Sequence, residues 1–162
     1  IEPFIGIDVV NVKSAADMAE AVAARSEASD IVVMCSAVAD YTPTHYSAQK
    51  VKKSDGELSI PLARTTDILH TLGMKKKEGQ MLVGFSMETE NLIENSRKKL
   101  SKKNADIICA NTIADGGDTG FAVDTNQVTL ITETEVITLP LCTKEETADL
   151  ILSHIVELQK EK

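Results

Sequence analysis

Tryptophan is absent and aromatic residues make up only 3% of the 162-residue chain, so any core must be built from aliphatic side chains. No uninterrupted apolar run approaches the roughly 18 to 20 residues that a membrane span needs. A basic-then-apolar leader is not seen at the start, and no secretory signal is expected. The three cysteines (Cys35, Cys109 and Cys142) lie far apart without a CxxC pair. They read as reduced thiols in a cytoplasmic protein. The eight glycines form neither GxGxxG nor a GxxxxGK-Ser/Thr loop, which removes the common nucleotide fingerprints. His45, His70 and His154 are scattered without paired-ligand spacing, and are expected on the surface or in loops rather than on a metal. Neither a nucleophile elbow nor a Ser/His/Asp order appears, so hydrolysis through a serine nucleophile has no support. Any catalysis should rest on positioning and charge neutralisation, as in nucleotidyl or phosphoryl chemistry.

Positive charge is in the minority. Basic residues number 17 against 25 acidic ones, a net −8 with a pI near 4.9, which disfavours general nucleic-acid binding. The cations are nonetheless concentrated. Lys50 to Lys103 holds 12 basic residues against 7 acidic, a local +5 within an acidic protein. Such a stretch suits an anionic ligand if its clusters converge, and a solvated surface if they do not.

With 43% hydrophobic residues the chain is not disordered, and its length suits one domain with a single buried core. Ile7 to Val12 predicts a strand. A helix follows from Ser14, with Asp17 as a capping signal and Met18, Ala21 and Val22 on one face. The apolar run 31–39 predicts a central parallel strand buried on both faces. Residues 40–57 read as a polar loop, and Leu58 to Leu62 as a short strand confined by Pro61 to an edge or end. Helices are expected over 67–77 and 90–103, and buried strands over 81–85 and 106–110. A hairpin follows over 127–132 and 135–139. The last element is an amphipathic helix over 143–160, with Thr143 and Glu146 forming a capping box. This alternation predicts a Rossmann-like α/β fold, a three-layer αβα sandwich with a mainly parallel sheet and a C-terminal β-hairpin. No internal repeat or linker divides the chain.

In a parallel sheet, ligands bind at the carboxyl ends of the strands. Three apolar strands run into polar residues there: Ser36 to Tyr41, Gly84 to Thr89, and Ala110 to Thr112. The lysine-rich stretch 50–53 follows Asp40 closely and suits phosphate, since ammonium groups act as mobile point charges. Lys99 and Lys103, at i and i+4, project side by side next to Leu92 and border the buried face. Lys75 to Lys77 fall at a helix end, where cations complement the dipole.

Six motifs, in this order and spacing, closely resemble the bacterial phosphopantothenate–cysteine ligase family. They are A-V-A-D-Y at 37–41, K-V-K-K at 50–53, D-I-L at 67–69, V-G-F-S-M-E-T at 83–89, K-K-L-S-K-K-N-A-D at 98–106 and A-N at 110–111. The family's F-x-x-D-x-N element is present as Phe121, Asp124 and Asn126. Each motif is weak alone; together they cover nearly the whole chain.

The resemblance implies CTP-dependent ligation of 4′-phosphopantothenate to cysteine through an acyl-cytidylate, in coenzyme A biosynthesis. Mg²⁺ would assist the triphosphate step, and no flavin is expected in this domain. Carried over position by position, Met34, Cys35, Ser36 and Asp40 would contact CTP. Lys50 would reach its phosphates as the catalytic lysine. Ala63, Arg64, Thr65, Thr66 and Phe85 would frame the nucleotide, with Lys99 and Lys103 completing the pocket. The family further implies a homodimer, here by pairing of residues 127–139 and 58–62 across a two-fold axis, and fusion behind a flavin-dependent decarboxylase.

Three departures stand out. Met34-Cys35-Ser36 replaces smaller residues. Thr65-Thr66 stands where Asn-Pro is expected. The family's Gly-Gly-Thr turn and Ser-Asn-His-Ser-Ser-Gly-type segment, whose Asn handles the acyl-cytidylate, are not in the sequence. Residues 1–162 therefore read as a single ligase domain lacking the family's first βα unit. Two other readings stay open: a non-catalytic nucleotide-binding or dimerisation fragment of that enzyme, and a nicotinamide-dependent oxidoreductase.

Overall fold

A computed structural model describes residues 6–45, 47–51, 59–112 and 123–160. Helix α1, Ala15–Ser26, begins with a reciprocal cap. The Asp17 amide donates to Ser14 Oγ (3.1 Å), and the Ser14 amide donates to Asp17 Oδ2 (3.0 Å). Strand β1 is Ile31–Met34; β2, Tyr41–Pro43, pairs antiparallel with β3, Leu62–Arg64. Asp67 caps α2, Ile68–Lys75, by accepting from the His70 amide. Then come β4 (Met81–Glu88), α3 (Leu92–Lys103) and β5 (Ile107–Thr112). Short β6 (Thr125–Asn126) pairs with β9 (Cys142–Thr143), while β7 (Thr129–Ile131) and β8 (Val136–Thr138) form a hairpin. The expected Thr143/Glu146 capping box opens α4, Lys144–Lys160.

The main sheet has the order β1-β4-β5-β7-β8. Pairings β1–β4 and β4–β5 are parallel, and β5–β7 and β7–β8 antiparallel. Only β7 therefore runs against the rest. Alternation along the strands sorts the core into two sides. Met81, Val83, Ile107 and Cys109 face α4 and pack with Ile151 and Ile155. Leu82, Ile108 and Ala110 face the other way, onto α2 and α3 through Ile68, Leu72 and Leu100, with Met18 and Val22 of α1 at the margin. This is the expected three-layer sandwich.

Four elements differ from the sequence reading, the first being the expected loop 40–57, which opens with strand β2 because Tyr41–Pro43 finds a ladder partner in β3. Residues 7–12 pair with no strand among the described residues. Their apolar character supplies β propensity, but a strand exists only through its ladder partner. The run 31–39 yields a four-residue strand that, among the described residues, lies at one edge of the sheet rather than at its centre. Val32 and Met34 pack towards α1 and α2, whereas Val33 on the opposite face stays 39% exposed. The strand expected at 58–62 forms at 62–64, with Pro61 at its entry and the Pro61 carbonyl accepting from the Thr44 amide (3.0 Å).

Gly73 brings α2 and α3 together. A Cβ there would stand 1.8 Å from the Lys103 carbonyl oxygen. Asn104, left-handed at φ 49°, ends α3 and donates from Nδ2 to the Gly73 carbonyl (2.8 Å).

Candidate functional site

The parallel register ends β4 and β5 together, Glu88 beside Thr112, while β1 stops four residues earlier, with Met34 beside Gly84. Between these ends and the first half of α4 is a cavity of about 760 Å³. Val33, Cys35 and Ser36 line it from the β1 side, Phe85 and Ser86 from β4, and Asn111 from β5. Asn126, Lys144 and Thr147 line the α4 side. Of the expected site residues, the fold brings Cys35, Ser36 and Phe85 to this cavity. Met34 lines a second cavity of about 420 Å³, between β1 and α1.

A second group assembles beside the strand ends. The Thr65 amide donates to the Asp40 carbonyl (2.9 Å) and its hydroxyl to the Ala39 carbonyl (2.5 Å). Ala63 pairs with Thr42 in the β2–β3 ladder, and Arg64 with Tyr41, its guanidinium lying 5.6 Å from the ring centroid. Residues 21 to 26 positions apart thus meet. Asp40 and Thr66 are exposed, as is Lys50 in the β2–β3 loop, which makes no hydrogen bond or ion pair with a described residue. Lys52, Lys53 and Phe121 lie outside the described residues.

Lys99 and Lys103 border the buried face of α3 as expected, yet neither is a bare cation. Lys99 Nζ donates to Glu88 Oε1 (2.6 Å) and Ser86 Oγ (2.8 Å). Ser86 Oγ in turn donates to Glu88 Oε1 (2.6 Å), and Asn95 Nδ2 to Glu88 Oε2 (3.2 Å). Burial would raise the Glu88 carboxyl, but the bonds from Lys99, Ser86 and Asn95 outweigh it and hold it below the usual range. Lys103 Nζ pairs with Asp67, itself the α2 cap. There too burial is outweighed by the donors, Lys103 and the His70 amide, and the carboxyl is lowered.

The carboxylate partners Glu88 and Asp67 were missed in the sequence, although period-2 counting puts Ser86 and Glu88 on the α3 side of β4 with Gly84. Lys76 does more than its position at a helix end implies. Its ammonium sits 3.1 Å from Asp106, whose Oδ2 accepts from the Leu82 amide (2.7 Å), so it braces the sheet rather than merely complementing a helix dipole. His70 and His154 are partly buried on helices rather than in loops. Cys35, Cys109 and Cys142 are free thiols. Among the described residues no group of three or more His, Cys, Asp or Glu could hold a metal ion, and no helix is long and apolar enough to cross a membrane.

Residues 1–158 match the family described as the DNA/pantothenate metabolism flavoprotein C-terminal domain. The chain is 45% identical over 155 residues to the Coenzyme A biosynthesis bifunctional protein CoaBC of Bacillus subtilis (strain 168), covering 95% of this chain and 38% of that protein. It is 42% identical over 153 residues to a cysteine/cysteine sulfinic acid decarboxylase from an unknown prokaryotic organism, covering 94% of this chain and 42% of that protein. The chain thus spans about two fifths of the length of these curated relatives. The crystal structure of the C-terminal domain of a coenzyme A biosynthesis bifunctional protein CoaBC superposes with a TM-score of 0.80 at 39% identity, over 100% of this chain and 71% of that one. The chain belongs to the DNA/pantothenate metabolism flavoprotein C-terminal domain family, the membership its six motifs had implied.

Proposed function

We propose that this domain carries the phosphopantothenate–cysteine ligase step of coenzyme A biosynthesis and uses CTP. The observation that carries the reading is the convergence of Cys35, Ser36 and Phe85 on one cavity at the sheet's carboxyl edge, with Lys99 bonded to the Ser86 that lines it. About 760 Å³ lies within the range of small-molecule sites, roughly 300 to 1,000 Å³. The family match and the coenzyme A relative bring the substrate class.

In this reading the nucleotide lies over Met34 to Ser36, framed by Phe85 and by Ala63 to Thr66. Lys50, exposed and unpaired among the described residues, reaches the phosphates from its loop. A carboxylate oxygen of 4′-phosphopantothenate attacks the α-phosphorus of CTP and pyrophosphate leaves. The cysteine amine then attacks the acyl carbon, CMP leaves, and the amine proton passes to solvent. Lys50 offsets charge that builds on the phosphates, while Lys99 and Lys103, each paired with a carboxylate, contribute directed N–H donors. Magnesium suits this donor set only as an ion brought in on the triphosphate, which commonly supplies most of its ligands beside one or two carboxylates. Asp40, an exposed carboxylate at the strand ends, would hold it, and the ion would neutralise the departing pyrophosphate.

The working protein on this reading is a cytoplasmic homodimer, fused behind a flavin-dependent decarboxylase. β8, at one end of the main sheet, offers an edge for pairing. The test is pyrophosphate release and amide formation from CTP, 4′-phosphopantothenate, cysteine and Mg²⁺. Lys50→Ala should lower turnover by about 10²-fold or more, in line with loss of a preorganised charge at the reacting phosphates. Turnover unchanged in Lys50→Ala would overturn the assignment. CTP binding without acyl-cytidylate would instead favour a nucleotide-binding fragment.

A further inference from the structure

We propose that Glu88 is a positioning residue, holding the Lys99 ammonium at the carboxyl end of β4 as a preset hydrogen-bond donor for the nucleotide's phosphates. The inference rests on the reading of Lys99 as a nucleotide contact and adds how that lysine is made ready. Glu88 is not a solvated surface acid: its side chain is 12% exposed, and both of its oxygens are engaged. Asn95, one turn before Lys99 on α3, fixes Oε2, while Ser86 and Lys99 share Oε1. Carboxylate, hydroxyl and ammonium thus form a closed triangle of 2.6, 2.6 and 2.8 Å. Ser86 also lines the cavity, while its hydroxyl, held in this triangle, lies on the α3 side of β4.

An ammonium has three donors and no acceptor. Two of those of Lys99 are taken by Glu88 and Ser86, which fixes the direction of the third, and the side chain keeps 44% of its exposure. A free lysine would lose rotamer freedom on meeting an anion, whereas this one has already lost it in folding. The Glu88–Lys99 pair also carries no net charge, so its contribution is directional donation rather than long-range attraction.

The alternative role for Glu88 is competition: a carboxylate that must be stripped away before phosphate can bind. Calorimetric titration of the whole chain with CTP and Mg²⁺ separates the two by a double-mutant cycle. Lys99→Ala should weaken CTP binding by about tenfold, as expected for a charge-assisted contact to phosphate. Glu88→Ala should weaken it about threefold or more, and the double variant should bind like Lys99→Ala alone, because Glu88 acts only through Lys99. Glu88→Gln keeps the volume and an acceptor, and should give the same pattern at smaller amplitude if Glu88→Ala does not fold. The proposal is overturned if removing Glu88 tightens binding or leaves it unchanged while Lys99→Ala weakens it, or if the Glu88 loss persists undiminished in the Lys99→Ala background. Wild-type affinity in Lys99→Ala has a different signature: there the reading of Lys99 as a nucleotide contact fails, and the proposal falls with it.

Discussion

Replacing Gly73 by Ala sets two physical effects against each other. Gly73 is interior to α2 and has no left-handed φ, so helix propensity alone favours alanine by about 1 kcal/mol. The new Cβ, however, would sit 1.8 Å from the Lys103 carbonyl oxygen and 2.8 Å from its carbon, where ordinary contact begins near 3.4 Å. Both are backbone atoms at the end of α3, so no rotamer change relieves the clash and the helices must part by more than an ångström. Such overpacking costs about 1 to 3 kcal/mol. The separation would also stretch the Asn104–Gly73 hydrogen bond (2.8 Å) and the His70–Lys102 contact (3.0 Å), a loss of about 1 kcal/mol each. The opposing sums leave Gly73→Ala about 2 to 4 kcal/mol less stable, a fall in Tm of roughly 2–4 °C per kcal/mol for a chain of this size. Urea denaturation with an unchanged m-value is the assay. A variant as stable as the parent, or more stable, would refute the close approach of α2 and α3.

Among the lowered carboxyls, Glu88 and Asp67, each paired with a lysine, contribute a pH dependence. Glu88 and Asp67 start from ordinary values of 4.5 and 3.8 and are held below them when folded, so their stabilisation is full above those values and drains away as pH falls through the lowered ones. Unfolding midpoints should be flat from pH 7 to about 5 and then decline, less steeply in Glu88→Gln; a midpoint that rises on acidification would contradict this. Burial, with a smaller push from Cys35, raises the Cys109 thiol to about 12, and Cys109 is fully buried. Alkylation followed by peptide mass spectrometry at pH 8 should therefore modify Cys35 well before Cys109, which reacts only on unfolding. Thr143→Ala breaks the α4 capping box and should cost about 1 kcal/mol in urea denaturation, with nucleotide binding unchanged.

The sequence revealed most where a signal is local. Ser14 with Asp17, and Thr143 with Glu146, are caps spaced three residues apart, and both stand as read. The buried strands β4 and β5 announced themselves as unbroken apolar runs, and polar residues at their ends marked the edge where the cavity lies. What stayed hidden depends on pairing across the chain. An apolar run such as 31–39 looks the same at the centre of a sheet as at an edge, because burial is decided by neighbours and not by the run itself. The excess of lysines between 50 and 103 suggested free cations, yet Glu88 and Asp67, from that same stretch, cancel two of them. The cavity wall of Asn126, Lys144 and Thr147 is brought to β1 and β4 by β6 and the last helix, and no spacing in the sequence foretells it.

The central claim is that the carboxyl edge of β1 and β4, with its lysines, receives CTP. Calorimetric titration of the 162-residue chain with CTP and, separately, ATP, both with Mg²⁺, tests it most directly. The expected result is saturable CTP binding that outcompetes ATP and weakens about tenfold or more in Lys50→Ala, the loss of one charge-assisted contact to phosphate. Heat-silent titrations with both nucleotides at millimolar concentration would contradict it.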